Sequence, residues 1–458
     1  MAFKRILPLV LACLMLAGCS AAPKGDRAEF DAFAAQVNGA RSADPEWTGE
    51  ERAALAAVTP DFEDLPAELV EQVTKARRSK QELDPEEAGR DVSAFFTLLR
   101  GAYSGYDYFG GDPVFLPIRD RLLAEVAAVP TWTTAGLEAL LADALDPVVA
   151  DGHFWIGSRD LWRSHSLEMY YVPDLYLSDP TGLDPALVKP TVGPDGAITH
   201  CFAALSADGA DLPRTALVEG EETALDWRRA EPYEVQDRVA FRREVKSGIP
   251  VVTSRTMTAN ERNAEELMDF SNAGALDRDA PVVLLDIRGN GGGNSGYGSG
   301  WVAGLTGQPS QYKWLHANKE SQLYVRFMES FGMETPDSTG QWNVFDLDGI
   351  VAPREGVALV LMDRGTASAA EDLVQSMQWV DNAVFIGSNT MGCAMFGNVV
   401  SCKLPDSRLR IQFGTSMNWC GTRENIEGVG FMPDLWVPPQ DGLDAALRLC
   451  RYYGLDRG

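Results

Sequence analysis

The chain has 458 residues, with 40 Lys and Arg against 66 Asp and Glu, a formal charge of −26. So acidic a balance argues against nucleic acid and against an anionic membrane surface as partners, while neutral or basic polypeptides are tolerated. The length is enough for two or three structural units with a sizeable core.

At the N-terminus Lys4-Arg5 precedes an apolar run from Ile6 to Leu16 that ends in Leu16-Ala17-Gly18-Cys19. The run is far shorter than the ~20 residues needed to span a bilayer. Read as a bacterial lipoprotein signal, residues 1–18 would be removed and Cys19 would become the lipidated N-terminus. Ser20, rather than Asp, favours the outer membrane, facing the periplasm. Residues 19–27, with Ala, Pro and Gly, make a tether, and no later segment is long and apolar enough for a second span.

Export implies an oxidising compartment in which cysteines can pair. Setting Cys13 and Cys19 aside leaves Cys201, Cys393, Cys402, Cys420 and Cys450. The odd count leaves at least one thiol free, and Cys393, Cys402 and Cys420 share a predicted hairpin region where a bridge is plausible. No Cys/His cluster has zinc-like spacing, so neither a metal nor another cofactor is expected.

Residues 28–145 read as mainly helical. Arg27 to Val37, Ala67 to Lys80 and Val92 to Tyr103 carry apolar residues at helical spacing, and Asp84-Pro85-Glu86-Glu87 has the form of a helix start. Tyr103, Tyr106, Tyr108 and Phe109 cluster with glycines, a pattern that suits aromatic packing better than a cleft wall. A helical stretch from Leu137 to Leu145 is followed by Asp151-Gly152-His153-Phe154, in a chain with only three other histidines, His165, His200 and His316. Residues 146–260 are strand-rich, with Met169 to Val172 and Pro250 to Thr253 as examples. In residues 261–458 strands and helices alternate, which calls for crossovers and a parallel sheet.

Within that last region the apolar strand Val282 to Asp286 runs into Ile287-Arg288-Gly289-Asn290-Gly291-Gly292-Gly293-Asn294. Three adjacent glycines let exposed backbone N–H groups approach a ligand, as an oxyanion hole or a phosphate loop requires. The Lys-Ser/Thr of a P-loop is missing and the dinucleotide spacing is not met. A second apolar strand, Val357 to Met362, leads through Gly365-Thr366-Ala367-Ser368-Ala369-Ala370-Glu371 into an amphipathic stretch, Ala367 to Trp379. That arrangement lifts the Ser368 hydroxyl out at a helix N-terminus, where backbone N–H groups favour developing negative charge. A serine there also serves as an ordinary helix cap.

Together with Thr390-Met391-Gly392 and Glu427-Gly428-Val429-Gly430-Phe431-Met432-Pro433-Asp434, the loop from Asp286 and the turn at Ser368 resemble, in the right order, the signature of the S41 serine peptidases. That family includes the tail-specific and tricorn-like proteases, and the resemblance covers residues 245–440. It implies an α/β fold: a ClpP/crotonase-like spiral core beside the helical N-terminal region and the strand-rich middle segment. The tail-specific branch has a lysine base just after Thr-x-Gly, but Cys393 stands there, and Asn389 occupies another position usual for lysine.

The tricorn-like branch instead implies His153 as general base for the nucleophile Ser368, with Glu427 orienting the ring. Backbone N–H of Gly292 and Ala369 would form the oxyanion hole, Gly293 being the alternative to Gly292. Gly392 and Asp434 match structural positions. No peptide-capturing PDZ module is recognisable. The resemblance thus implies a lipid-anchored envelope endopeptidase acting on polypeptides; the alternative is an inactive binding or scaffold lipoprotein on the same fold. Homodimers are common among relatives.

Overall fold

The computed structural model describes residues 24–42, 47–75, 80–162, 165–309, 314–347, 351–419 and 427–456. The signal sequence, Cys19 and Cys420 lie outside them. Among the described residues no helix is long and apolar enough to cross a membrane.

A six-stranded sheet forms the centre, its strands lying side by side in chain order: Arg242–Lys246, Ile249–Thr253, Val282–Asp286, Val357–Met362, Ala383–Gly387 and Leu435–Trp436. Every pairing is parallel except the first. The sheet therefore reaches back to Arg242, ahead of the boundary at 261 expected from sequence, because a strand placed in the middle segment by composition pairs with Val282–Asp286.

Both faces of this sheet are covered, and the continuous apolar strands follow from that. Along Val282–Asp286, Val283 and Leu285 face the helices Ala264–Ala273, Ser295–Thr306 and Ala369–Gln378 through Phe270, Trp301 and Leu373. Val282 and Leu284 face the other way, onto Phe30 of Arg27–Ser42 and Leu449 of Gly442–Tyr453. Side chains alternate across a strand, so no position in it can stay polar without a partner. The expectation of a helical N-terminal region holds, but the region divides: its first helix covers the central sheet, whereas Pro85–Ala102, Gly111–Ala127 and Thr134–Leu145 pack on a different sheet through Ile156, Ile411 and Phe413.

Pro85–Ala102 starts as its sequence dictates. Asp84 caps it, Pro85 fills the first turn, and Glu87 closes a capping box. Tyr103 and Tyr106 just beyond it are buried in aromatic packing against Phe154 and Phe115.

The second sheet runs in the order Gln341–Leu347, Trp314–Glu320, Arg410–Trp419, Trp155–Ile156, Arg159–Asp160, with Phe396–Lys403 also paired to Arg410–Trp419 as a hairpin. It takes a strand from residues 155–156 and sets it beside residues 411–412. His153, two residues upstream, is carried by that pairing to the C-terminal edge of the central sheet. The strand-rich middle forms a third sheet from Arg228–Arg229, Glu168–Leu177, Ile198–Ser206 and Val188–Val192. Cys201, Cys393, Cys402 and Cys450 are free and buried. Cys393 and Cys402, in the region where sequence made a bridge plausible, are not bonded to each other.

Candidate active site

Two turns at the carboxyl ends of neighbouring parallel strands build the site, as ligand sites in such sheets usually are built. The first follows Val282–Asp286. Asp286 is buried and receives both Arg255 and Arg288, at 2.7 and 2.6 Å to Oδ2, while the Tyr233 ring stacks on both guanidiniums. Burial pushes the Asp286 carboxyl up, yet the two arginines more than offset it and hold it at about 2. Arg288 continues to the Pro439 carbonyl, and Gly289 N–H donates to Asp363 Oδ1. These contacts fix the glycine loop from below.

The loop then lies directly on the second turn. A Cβ added at Gly292, whose φ is +87°, would sit 2.6 Å from the Ala367 carbonyl oxygen and 3.0 Å from Ser368 Cβ. Only glycine meets both the conformation and the approach.

Ser368 itself has φ 54° and ψ −122°, a strained backbone for a residue with a side chain. Glu371 holds it there. Its Oε2 accepts N–H from Ser368 and Cys393, and its Oε1 accepts from Thr390 Oγ1 and Gly392 N. One buried carboxylate thus joins the serine turn to the Thr390–Cys393 turn. Gly392 serves this backbone link with φ +76°, and Asp434 pairs with Arg41 and accepts the Phe385 N–H, so both have structural contacts.

His153 Nε2 lies 3.0 Å from Ser368 Oγ, across 215 positions of sequence. Burial lowers the imidazole pKa to about 4, and the Phe396 backbone pulls weakly the other way, so the ring is neutral at pH 7. Asp151 Oδ1 accepts the His153 N–H and Asp151 Oδ2 accepts the Tyr103 hydroxyl. Asp151 is raised to about 7, by burial against its two hydrogen bonds.

Two expectations are corrected here. Glu427 does not orient the ring. Its carboxylate accepts the Gly152 N–H at 2.7 Å and the Met395 N–H at 3.1 Å, and His153 Nδ1 has no hydrogen-bond partner among the described residues. Glu427 is buried beside Asp151, and both effects push its pKa well above the usual range. It braces the chain on either side of the ring. Gly292 is not a free donor either, because its N–H is spent on Asn290 Oδ1 at 3.0 Å. Gly293, which lines the cleft, and Ala369 at the helix start have N–H groups with no partner among the described residues. Ser368, His153 and Ala369 all line one cleft.

A cleft of about 400 Å³ opens over these groups, lined by His153, Ser368 and Cys393 and by residues that sequence reasoning missed: Phe327, Phe345 and Asp372. Their positions depend on packing between distant segments, and nothing local marks the two phenylalanines. Among the described residues no group of three or more His, Cys, Asp or Glu is placed to hold a metal ion.

Residues 249–437 match the model of peptidase family S41. No curated protein matches the chain. Among solved structures it is similar to mature CPAF at 12% identity and TM-score 0.42, covering 81% of this chain and 96% of that one. A lipoprotein from Streptococcus agalactiae gives 12% identity and TM-score 0.40 over 81% and 98% of the two chains. The photosystem II D1 C-terminal processing protease gives 17% identity and TM-score 0.39 over 77% and 93%. Likenesses this distant bear no weight beside the geometry of the site.

Proposed function

We propose that this serine peptidase, whose residues 249–437 are of the S41 type, is an endopeptidase that acylates Ser368 with His153 as general base. The observation that carries the reading is the 3.0 Å contact between His153 Nε2 and Ser368 Oγ in an open cleft, with a ring that stays neutral at working pH.

In this reading the Ser368 oxygen attacks the carbonyl carbon of the scissile peptide as His153 Nε2 takes its proton. The negative charge that develops on the carbonyl oxygen meets the N–H groups of Gly293 and Ala369 at the start of the helix Ala369–Gln378, whose dipole adds to them. The imidazolium passes its proton to the leaving amine, and a water repeats the sequence to release the acid. Nothing here calls for the ring to be oriented by a carboxylate; the backbone anchors at Asp151 and Glu427 set its place instead.

The same reading takes residues 1–18 as an export signal and Cys19 as the lipid attachment point, so that the peptidase works in the bacterial envelope on the periplasmic side of the outer membrane. Hydrolysis of an unfolded protein such as casein tests the enzymatic part: it is lost in Ser368→Ala and His153→Ala proteins that keep the wild-type circular dichroism. Incorporation of an alkyne-tagged fatty acid that disappears in Cys19→Ala tests the anchor.

A further inference from the structure

The cleft beside Ser368 is unequal in its walls. One side is aromatic, with Phe327, Phe331 and Phe345, of which Phe331 is 58% exposed and Phe345 38% exposed at the rim. Asp372 is among the residues that line the cleft. Ser368 stands at the start of the helix Ala369–Gln378 and Asp372 lies in its first turns, and both line the same cleft. The Asp372 carboxyl therefore shares the cleft with the Ser368 hydroxyl.

Asp372 has no side-chain hydrogen bond or ion pair among the described residues, and no Lys or Arg among them lines the cleft. The other titratable groups there carry no positive charge at neutral pH. Burial lowers the pKa of both His153 and His316, and Cys393 is a thiol raised well above its usual value by burial and by Glu371. Burial and the neighbouring Glu371 push Asp372 itself up to about 7. An acid left without a counter-ion in a cleft whose other polar groups are neutral is completed by a cation brought from outside.

We infer that Asp372 is a specificity-determining residue, seating a Lys or Arg side chain of the substrate at one of the two positions flanking the cleaved bond. The aliphatic stem lies along the phenylalanines and the charged head reaches the carboxylate. An apolar side chain in the same place would desolvate the carboxyl without pairing it. The net charge of −26 works in the same direction, drawing basic segments toward the molecule. This inference rests on Ser368 being the nucleophile.

The experiment uses internally quenched peptides that differ in one residue, Arg, norleucine or Glu, at each position around the cleaved bond, with cut sites mapped by mass spectrometry. Peptidyl diphenyl phosphonates ending in Arg or norleucine report the same choice through their labelling of Ser368. Wild type is compared with Asp372→Asn, which keeps the shape of the protonated acid. Wild type is expected to prefer Arg to norleucine at least 10-fold in kcat/KM at a flanking position, and Asp372→Asn to reduce that ratio at least 10-fold. An equal ratio in the two proteins, or a wild-type preference for norleucine, overturns the inference. If a plain fluorophosphonate labels Ser368 while the Arg and norleucine phosphonates react alike and no peptide is cut, the pocket assignment fails alone. If the fluorophosphonate leaves Ser368 unlabelled, the nucleophile reading fails and takes this inference with it.

Discussion

Asp151 Oδ1 accepts the backbone N–H of His153 at 2.7 Å, so the acid before the histidine acts on the chain rather than on the ring. Its other oxygen ties that loop to the Tyr103 hydroxyl on the far side of the aromatic core. Placement of His153 thus depends on a buried acid, a tyrosine and Glu427 together.

In the proposed mechanism His153 must be neutral to take the Ser368 proton, and burial lowers its pKa to about 4 from its usual 6.5. Activity is therefore retained as pH falls from 7 through 6 and lost only as it nears the lowered value. A profile of kcat/KM against pH should have its acid limb below pH 5.5. A limb centred at 6.5 or above would place the controlling proton elsewhere.

Glu427→Gln separates bracing from orienting. A triad carboxylate replaced by its amide typically costs about 10⁴-fold in kcat by upsetting the histidine tautomer. Here the amide nitrogen would face one of two backbone donors, Gly152 N–H or Met395 N–H, and the expected penalty is roughly 1–3 kcal/mol of stability. Chemical denaturation should show that loss, with kcat reduced less than about 100-fold.

Glu371→Gln should be more damaging than its exposed-surface counterparts, since the carboxylate accepts from Ser368, Thr390, Gly392 and Cys393 at once. An amide turns one acceptor into a donor facing donors, at a cost of about 2–4 kcal/mol. Unfolding midpoints in urea would drop accordingly. Proteolytic activity should fall at least 10-fold even in the fully folded protein, because the strained Ser368 backbone loses its restraint.

Removing the charge of Asp372 should have a pH-dependent effect on stability. Its folded pKa, about 7, lies above the usual carboxylate range, so the folded state prefers the protonated form. That preference stabilises the fold below about pH 4 and is lost as pH rises through 7. His153 has the opposite sign: its lowered pKa contributes stability above 6.5 that is lost as pH falls toward 4. Asp372→Asn should therefore raise the melting temperature by several degrees at pH 8 relative to wild type, with little change at pH 4. Equal shifts at both values would contradict the assignment.

Asp286→Asn should unfold the glycine loop's foundation. Two buried arginines, Arg255 and Arg288, would lose their counter-charge, and breaking such a network by one partner costs about 3–5 kcal/mol. Because the Asp286 pKa is lowered to about 2, the wild-type network stays intact at pH 4 and is lost only as pH falls through about 2. Denaturant titrations at pH 7 should show the full difference between the two proteins.

Much of this site was readable along the chain because its parts are local. The strand ends at Asp286 and Met362, the glycines that permit φ +87° at Gly292 and the small residues around Ser368 each carry their reason within a few positions. The helix start at Asp84 was legible for the same reason. What sequence could not supply were choices among partners. Glu427 was expected on the His153 ring, but two backbone N–H groups compete for it. Gly292 and Gly293 are indistinguishable in a run of three until Asn290 turns its side chain onto one of them. Phe327 on the helix Gln322–Ser330 and Phe345 on the strand Gln341–Leu347 look like any apolar residues until the fold brings both to the cleft.

The most direct test is the rate at which a fluorophosphonate modifies Ser368, followed by peptide mapping in wild type and in His153→Ala. The account predicts a single adduct on Ser368, formed at least 100-fold more slowly without the imidazole while both proteins remain folded. Modification at an unchanged rate, or at another residue, would contradict it.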